Sequence, residues 1–513
     1  MREVEPLKRA LFLLIISLAV FGLSESWLRY AEVDMPGLIP YIYIDMPSYR
    51  VQMLIFEGLV KIDPDLNVKP ALAVSWEVSD GFRKYKFKLR DGVVFHDGTR
   101  FTARDVKYTV DLLKRSEKYI LDKRVPDYVK EVRVINDRTV EFLLKSPVVD
   151  MSFFTFPIFP HTMDVRTLTP DVADTIQPIG TGPYKVYKYS RIGKMYVWLK
   201  KFDRYYGGEP NIDNVSVEVI FSRENMLKAL ELGEIDLMFD LPPSQYYRVK
   251  ANEDLVLLEF PEFRYHLYAF NLRNELLRDK SLRLAMYYGF DRPRVLQAIY
   301  KGKGSLIYGP APRESLAYDP TVRVIPYDPV KAKKILIDAG YKDTDGDGIL
   351  EKDGKPLKFT LMYVRDMDER YKQHLKFKAD MKALGIEIKL KEVTFQKLMR
   401  YLRDGDFDIV FFSWNTGTIP SFKTVWATGG SENFIGYSNW KVDRLVEVLG
   451  EETNRERRIK LARKIFRIIA EDVPALFLFS LDSLVVHSVD LEGVEPNPMN
   501  IFFNITEWEK EEE

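Results

Sequence analysis

The sequence predicts an α/β protein with two large lobes and a smaller α+β domain. Three observations point there. At 513 residues the chain is too long for one ordinary core, so two or three domains are expected. "MLKALELGEIDLMF" (226–239) and "FQKLMRYLRDGDFDIVFF" (395–412) echo each other as a helix, a stopping glycine (Gly233, Gly405) and an acid-led apolar strand. The echo suggests that two distant parts of the chain use one kind of α/β unit. Between residues 82 and 145, short strands flank a single helix, the pattern of a compact α+β unit.

Taken in order, the chain begins with Lys8 and Arg9 before the uncharged "ALFLLIISLAVFGL" (10–23), then Ser24, Glu25 and Ser26. A basic start and a short apolar run read as an export signal over 1–26, and the run is short for a membrane span of roughly 17–25 residues. An uncleaved N-terminal anchor is the alternative. "KYKFKLR" then alternates, with Tyr85, Phe87 and Leu89 on one side and Lys84, Lys86, Lys88 and Arg90 on the other, a half-buried strand. "FHDGTRFTARDV" follows. Asp97-Gly98 is a turn pair, Thr102 suits a helix N-cap with Asp105 three residues on, and Val106, Val110 and Leu113 share a helical face. His96 beside Asp97 is thus expected to pack in a turn rather than to catalyse. "VRVINDRTVEFLL" reads as a hairpin about Asn136-Asp137.

Pro157 to Pro183 reads as a connection rather than core, and Gly180 and Gly182 as a tight turn before the strand "YKVYKY". "DPVKAKKILIDAG" predicts a helix capped by Asp328, with Pro329 at N1 and Gly340 just past its end; Ala332, Ile335, Leu336 and Ala339 form its apolar face. "RERRIKLARKIFRIIA" predicts another over 455–470.

Composition excludes several functions. Acidic and basic residues balance at 76 each, unlike the basic footprint of a nucleic-acid binder. There is no cysteine, hence no disulfide, thiolate nucleophile or cysteine-held metal. Neither G-x-S-x-G nor H-E-x-x-H occurs, and the five histidines (His96, His161, His266, His374, His487) lack metal-ligand spacing. One metal-like motif stands out. In "DTDGDGILEKDG", Asp343, Asp345 and Asp347 alternate and Gly348 is sixth, as in a calcium loop, but the twelfth residue is Gly354. Glu351 and Asp353 are candidate additional ligands; an Asx-rich surface turn is the alternative. Calcium is therefore a candidate, and no cofactor is required.

"LIFEGLVKIDPDLNVKPALAVSWEVSDG", "YKFKLRDGVVFHDGTRFTARDVKYTV", "IGTGPYKV", "AFNLRNELLRDKSLRLAMYYGFDRPRV" and "NFIGYSNWKVDRLVEVL" follow one another as blocks. In that order they resemble the extracytoplasmic solute-binding proteins of ABC importers, family 5, the oligopeptide, dipeptide and nickel-binding group. The resemblance implies a periplasmic-binding-protein-like fold of type II, cluster C-like. It implies lobe I from 27–50, 171–263 and 480–513, an additional domain over 51–170, and lobe II over 264–479. It further implies an exported, non-enzymatic monomer, periplasmic or extracellular, that binds an oligopeptide or other small solute in an interlobe cleft and delivers it to permease subunits. Oligosaccharide or metal-chelate binding, or a sensor or enzyme on the same fold, are the alternatives.

For the site, the resemblance directs attention to "FFSWNTGTIPSF" (411–422). Peptide-binding relatives typically carry an aspartate three residues after this tryptophan, paired with the ligand's ammonium; here that position is Gly417. Trp414, Asn415, Thr416 and Gly417 are the expected ligand contacts, with Asn433 and Tyr437 from the later block and Trp426 and Trp440 as weaker aromatic candidates.

Overall fold

The computed structural model describes residues 25–511 except 365, 366, 418, 421, 496 and 499. The export-signal run 10–23 lies outside the described residues. Among the described residues, no helix is long and apolar enough to cross a membrane.

The α+β domain is a four-stranded antiparallel sheet in the order Ala73–Ser79, Lys84–Leu89, Thr139–Leu144, Val129–Asn136. The alternation in "KYKFKL" does what it predicts: Tyr85, Phe87 and Leu89 are buried. Phe87 lies opposite Val140 and Tyr85 opposite Phe142, so the buried faces of neighbouring strands coincide. Helix Ala103–Arg115 covers that face with Val106, Val110 and Leu113. Its start is a capping box, with the Thr102 N–H donating to Asp105 Oδ2 at 2.7 Å and the Arg104 N–H to Thr102 Oγ1 at 3.3 Å. Asp thus fills the place usual for Glu.

Lobe I is built on a larger sheet ordered Leu255–Pro261, Phe479–Ser488, Leu237–Met238, Trp27–Glu32, Asn214–Val219, Tyr196–Lys201, Tyr184–Ser190, with Gly304–Leu306 added on Phe479–Ser488. Trp27–Glu32 runs parallel to both its neighbours. Lobe II carries a five-stranded sheet ordered Glu387–Glu392, Lys358–Tyr363, Ile409–Asn415, Arg264–Phe270, Ala475–Phe477, in which Lys358–Tyr363 is parallel to both neighbours. The chain passes between the sheets over Pro261 to Arg264 and again over Phe477 to Phe479. Ser480 ties the two crossings together, its hydroxyl donating to the carbonyls of Glu262 (3.1 Å) and Arg264 (2.8 Å).

The two echoing segments occupy equivalent places. Helix Arg223–Glu231 delivers Leu237–Met238, and helix Phe395–Asp404 delivers Ile409–Asn415, each through a left-handed glycine, Gly233 and Gly405. The acids leading each strand act as clamps. Asp236 Oδ2 accepts the Arg29 N–H at 2.7 Å, and Asp408 Oδ2 accepts the Thr360 N–H at 2.9 Å, in both cases from the neighbouring parallel strand. The capped helix expected after Asp328 spans Pro329–Asp338, and the basic helix runs Arg455–Asp472 with Ala462, Ile465, Phe466 and Ile469 buried.

Two expectations need correction. The stretch 157–183 is not merely connection: Ile158, Phe159 and Leu168 are buried in the core shared by the α+β domain and lobe I. Nor are Gly180 and Gly182 needed for left-handed backbone. A Cβ on Gly180 would lie 1.9 Å from the Ile55 carbonyl oxygen, and one on Gly182 would lie 2.5 Å from that of Leu54. They are glycines because two backbones touch there. His96 locks this contact, accepting the Gly180 N–H on Nδ1 (3.3 Å) and donating from Nε2 to the Gly182 carbonyl (2.9 Å). Burial lowers its pKa to about 4, so the ring is neutral.

Candidate functional site

In open α/β sheets a ligand crevice forms beyond the carboxyl ends of the parallel strands. Here both sheets aim those ends at each other. Asp240, two residues past Leu237–Met238, and Arg370, shortly after Lys358–Tyr363, line one cavity with Glu262, Arg264, His266, Tyr300, Lys303 and Asp482. Ser244 on the lobe I side donates to Glu369 on the other at 3.0 Å, so the lobes meet across it.

Charge dominates this hinge cavity. Arg50 donates two bonds to Glu32, at 2.6 and 2.7 Å, and its Nη2 lies 3.5 Å from Asp240 Oδ2. Arg223 approaches the same oxygen at 3.6 Å, and Arg264 pairs with Glu262 at 2.7 Å. Burial would raise the Asp240 carboxyl, but Arg50, Arg223, Arg264 and Arg370 outweigh it and hold it well below the usual range. Burial, reinforced by Arg264, lowers Arg370 to about 10, which leaves it cationic at neutral pH. His266 is neutral, because burial and then Arg370 and Arg264 push it well below its ordinary value. Its Nδ1 meets the hydroxyl of Ser413, its cross-strand partner, at 2.6 Å.

A second pocket lies wholly in lobe II and is almost entirely apolar. Leu267, Ala269, Val410, Phe412, Leu402 and Trp426 form its floor, with Trp414, Glu432 and Phe434 at half-buried positions. Trp414 lies parallel to Phe434, ring centres 6.3 Å apart and planes within 10°.

Residues 67–435 match the model for bacterial extracellular solute-binding proteins, family 5. The chain belongs to that family. It is similar to the oligopeptide-binding protein AppA of Bacillus subtilis, 29% identical over 495 residues covering 93% of this chain and 90% of AppA. It is also similar to the Escherichia coli dipeptide-binding protein, 24% identical with 95% and 94% covered. The structure superposes on AppA bound to a nonapeptide with a TM-score of 0.86, at 28% identity, covering 95% and 100% of the chains. It superposes on NikZ of Campylobacter jejuni, bound to Ni(L-His), with a TM-score of 0.84, at 26% identity and the same coverage.

Within this family 5 chain, the residues singled out from sequence part company. Trp414 walls the apolar cavity. Asn415 ends its strand opposite Arg264 with its side chain exposed. Thr416 binds the Phe263 carbonyl from both its N–H and its hydroxyl, each at 2.9 Å, and so fastens this strand end to the first crossing. Gly417 has φ +59°, and a Cβ there would meet nothing within 4 Å. Asn433 and Tyr437, expected to face the cleft, are turned inward. The Asn433 amide donates to the carbonyls of Ala427 (2.8 Å) and Tyr437 (2.7 Å) and accepts the Tyr437 N–H (3.0 Å). The Tyr437 hydroxyl donates to Asp472 at 2.6 Å. These residues shape the loop behind the cavity. Trp426 is buried in the cavity floor, and Trp440 is 69% exposed at a helix start.

The acidic loop gathers four of its five predicted ligands. Carboxylate oxygens of Asp343, Asp345, Asp347 and Glu351 lie within 4.8 Å of one another, whereas Asp353 sits apart in the turn of the hairpin Glu351–Pro356. Four hard oxygens suit calcium. The same oxygens already accept loop N–H groups: Asp343 from Gly346 and Gly348, Asp345 from Asp347, Asp347 from Ile349, and Glu351 from Thr344.

Sequence reasoning missed the hinge cavity. Asp240 and Arg264 are single charges beside strand ends and Arg370 one in the first turn of the helix Asp368–Ala383, and nothing in their spacing sets them apart. One signal was readable: "LMFDLPP" puts an acid directly after an apolar strand and before two prolines, where a cleft-lining turn would fall.

Proposed function

We propose that this protein captures an oligopeptide, or a related small solute, between its lobes and presents it to the permease subunits of an ABC importer. The observation that carries the reading is the pair of parallel-strand carboxyl ends facing each other across a charged cavity, in two bodies joined by narrow strand crossings. Capture then needs no bond chemistry. Ligand favours the closed arrangement because only there does it touch both walls. The relatives named for oligopeptide and dipeptide binding support peptide as the first ligand class. The exported location and monomeric state belong to the same proposal.

Selection for a free amino terminus is expected to be weak, because Gly417 offers no carboxylate and its surroundings are open. The protein should be unfolded and refolded to remove carried ligand, then titrated with peptides, oligosaccharides and nickel–histidine by calorimetry, with X-ray scattering in parallel. Peptide binding with compaction, little changed by acetylating the amine, supports the reading. Binding without compaction defeats closure; a sugar or chelate response with no peptide response replaces the ligand class. If acetylation abolishes binding, the open-end reading falls. If it has little effect, Gly417→Asp should create a preference for the free amine, since Asp tolerates the left-handed backbone there.

The acidic loop is carried as a candidate calcium site. Heat on titrating calcium into chelator-treated protein, lost in Asp343→Asn, supports it; no heat at millimolar calcium removes it.

A further inference from the structure

The apolar cavity of lobe II contains a feature that simple side-chain packing does not explain. Its floor of Leu267, Ala269, Leu402, Val410 and Phe412 is hydrocarbon, and its rim carries two parallel aromatic rings. Yet Glu432 lines it too. A carboxylate against such a wall is destabilised unless paired. Among the described residues no cation is one of the groups that act on it. Its carboxylate accepts a hydrogen bond from the Thr424 side chain, and the charges bearing on it are two more acids, Asp122 and Asp127 of the α+β domain. Burial first, and then those acids, raise its pKa.

Lys123 bears on Asp127, and three other nearby cations have attachments of their own. Arg124 is committed to Asp122 through bonds of 3.0 and 2.7 Å. Lys423 lies over the Tyr128 ring at 5.6 Å, and Lys145 donates to the Pro126 carbonyl at 2.7 Å. The cavity thus joins a greasy shaft to a rim where acids of two domains face one another. Trp414, Glu432 and Phe434 are only partly buried, so the shaft is reached from the surface.

We propose that this cavity is a side-chain subsite for lysine or arginine of a bound peptide, with Glu432 as counter-ion. A long aliphatic stem would replace water along the floor while the charged head stays at the polar rim, the way such side chains lie across apolar surfaces. The Trp414 and Phe434 faces add attraction for the cation. A purely apolar side chain would fill the shaft but leave Glu432 among acids, and a short polar one would leave the floor wet. The inference rests on the peptide reading above and narrows it to peptides carrying a basic residue at one position.

The test uses refolded, ligand-free protein and alanine pentapeptides bearing one lysine, or the uncharged norleucine, at each position in turn. Each peptide is made with a free and with an acetylated amino terminus. At one position lysine should bind about tenfold more tightly than norleucine, whether or not the terminus is acetylated. Glu432→Gln should erase that difference while keeping norleucine affinity. Val425→Phe, which fills the shaft, should weaken both relative to the all-alanine peptide. Equal binding of lysine and norleucine at every position overturns the proposal while leaving peptide capture intact. So does a lysine preference that survives in Glu432→Gln. An acetylation penalty erased by Glu432→Gln would assign the carboxylate to the terminal ammonium instead and overturn the side-chain subsite. If no peptide binds, both readings fall.

Discussion

The α+β domain and lobe II both pack against lobe I, by opposite physical means. The first junction is a continuous hydrophobic core: Tyr85 and Phe87 of the small domain belong to the same buried cluster as Leu28, Tyr30 and Val215 of the lobe I sheet. Its backbones touch at Gly180 and Ile55, and His96 bonds across the seam. The second junction holds a charged cavity, two strand crossings and a few polar bridges such as Ser244–Glu369 and Lys303–Glu259. Lobe II keeps a separate core. A hydrophobic seam resists sliding because any displacement wets apolar area, whereas ion pairs exchange partners with water at little net change. The α+β domain and lobe I should therefore move as one body, and lobe II against it.

The largest effect is expected at the tight seam. Gly180→Ala forces a methyl into the Ile55 carbonyl and should destabilise the protein by about 3 kcal/mol, near the upper end for overpacking. Chemical denaturation checks this, and a loss below about 1 kcal/mol would mean that the seam is looser than its geometry. Next is the hinge cavity. Asp240→Asn leaves Arg50 and Arg223 facing each other without their shared carboxylate. A loss of roughly 2 kcal/mol is expected, below the range for fully buried pairs because Asp240 keeps 26% of its side chain exposed. Scattering should show the ligand-free ensemble opening at the same time.

A smaller effect concerns acidity. Burial, then Glu259 and Glu314, push Asp482 beside the second crossing up to about 6, with Glu262 adding to them and Lys303 opposing. An acid raised on folding contributes stability that is complete below its unfolded value of about 4 and is lost as pH rises through about 6. Asp482→Asn should flatten stability between those pH values and gain about 1 kcal/mol at pH 7 after allowance for solvent screening. An unchanged pH profile would remove Asp482 from this role. Smallest is the bridge from Arg83 in the α+β domain to Glu451 in lobe II, whose partners are 35% and 59% exposed. Glu451→Gln should alter closure by no more than about 0.5 kcal/mol. A larger shift in the scattering midpoint would show that this contact, not the hinge cavity, holds the lobes together.

Local rules carried much of the fold because they were satisfied locally. The Thr102–Asp105 box, the Tyr85–Phe87–Leu89 face and the Asp328–Pro329 helix start depend on neighbours within one turn or one strand, so their spacing is the structure. Gly180 was misread because its constraint comes from Ile55, 125 positions earlier in the chain, and only the fold brings them together. The site suffered the same way. Trp414 was legible as an aromatic at a strand end. Asn433 was not, since its amide is consumed by a loop closed between Ala427 and Tyr437. Asp240, Arg264 and Arg370 arrive from three separate elements and carry no common spacing.

Tethers set side by side leave lobe II little mechanical choice, since Gly304–Leu306 also pairs with the strand that begins at the second crossing. A rigid body held at two points turns about the line through them, and here that line passes through Pro261 to Arg264 and Phe477 to Phe479, stitched side by side by Ser480. Strands next to that axis sweep short arcs. Glu387–Glu392 and Tyr184–Ser190, at the remote edges of the two sheets, sweep the longest. A ligand gripped only beside the axis has poor leverage, whereas one that reaches outward latches the same rotation with far less force. Chain length in the cargo would then act as a lever arm.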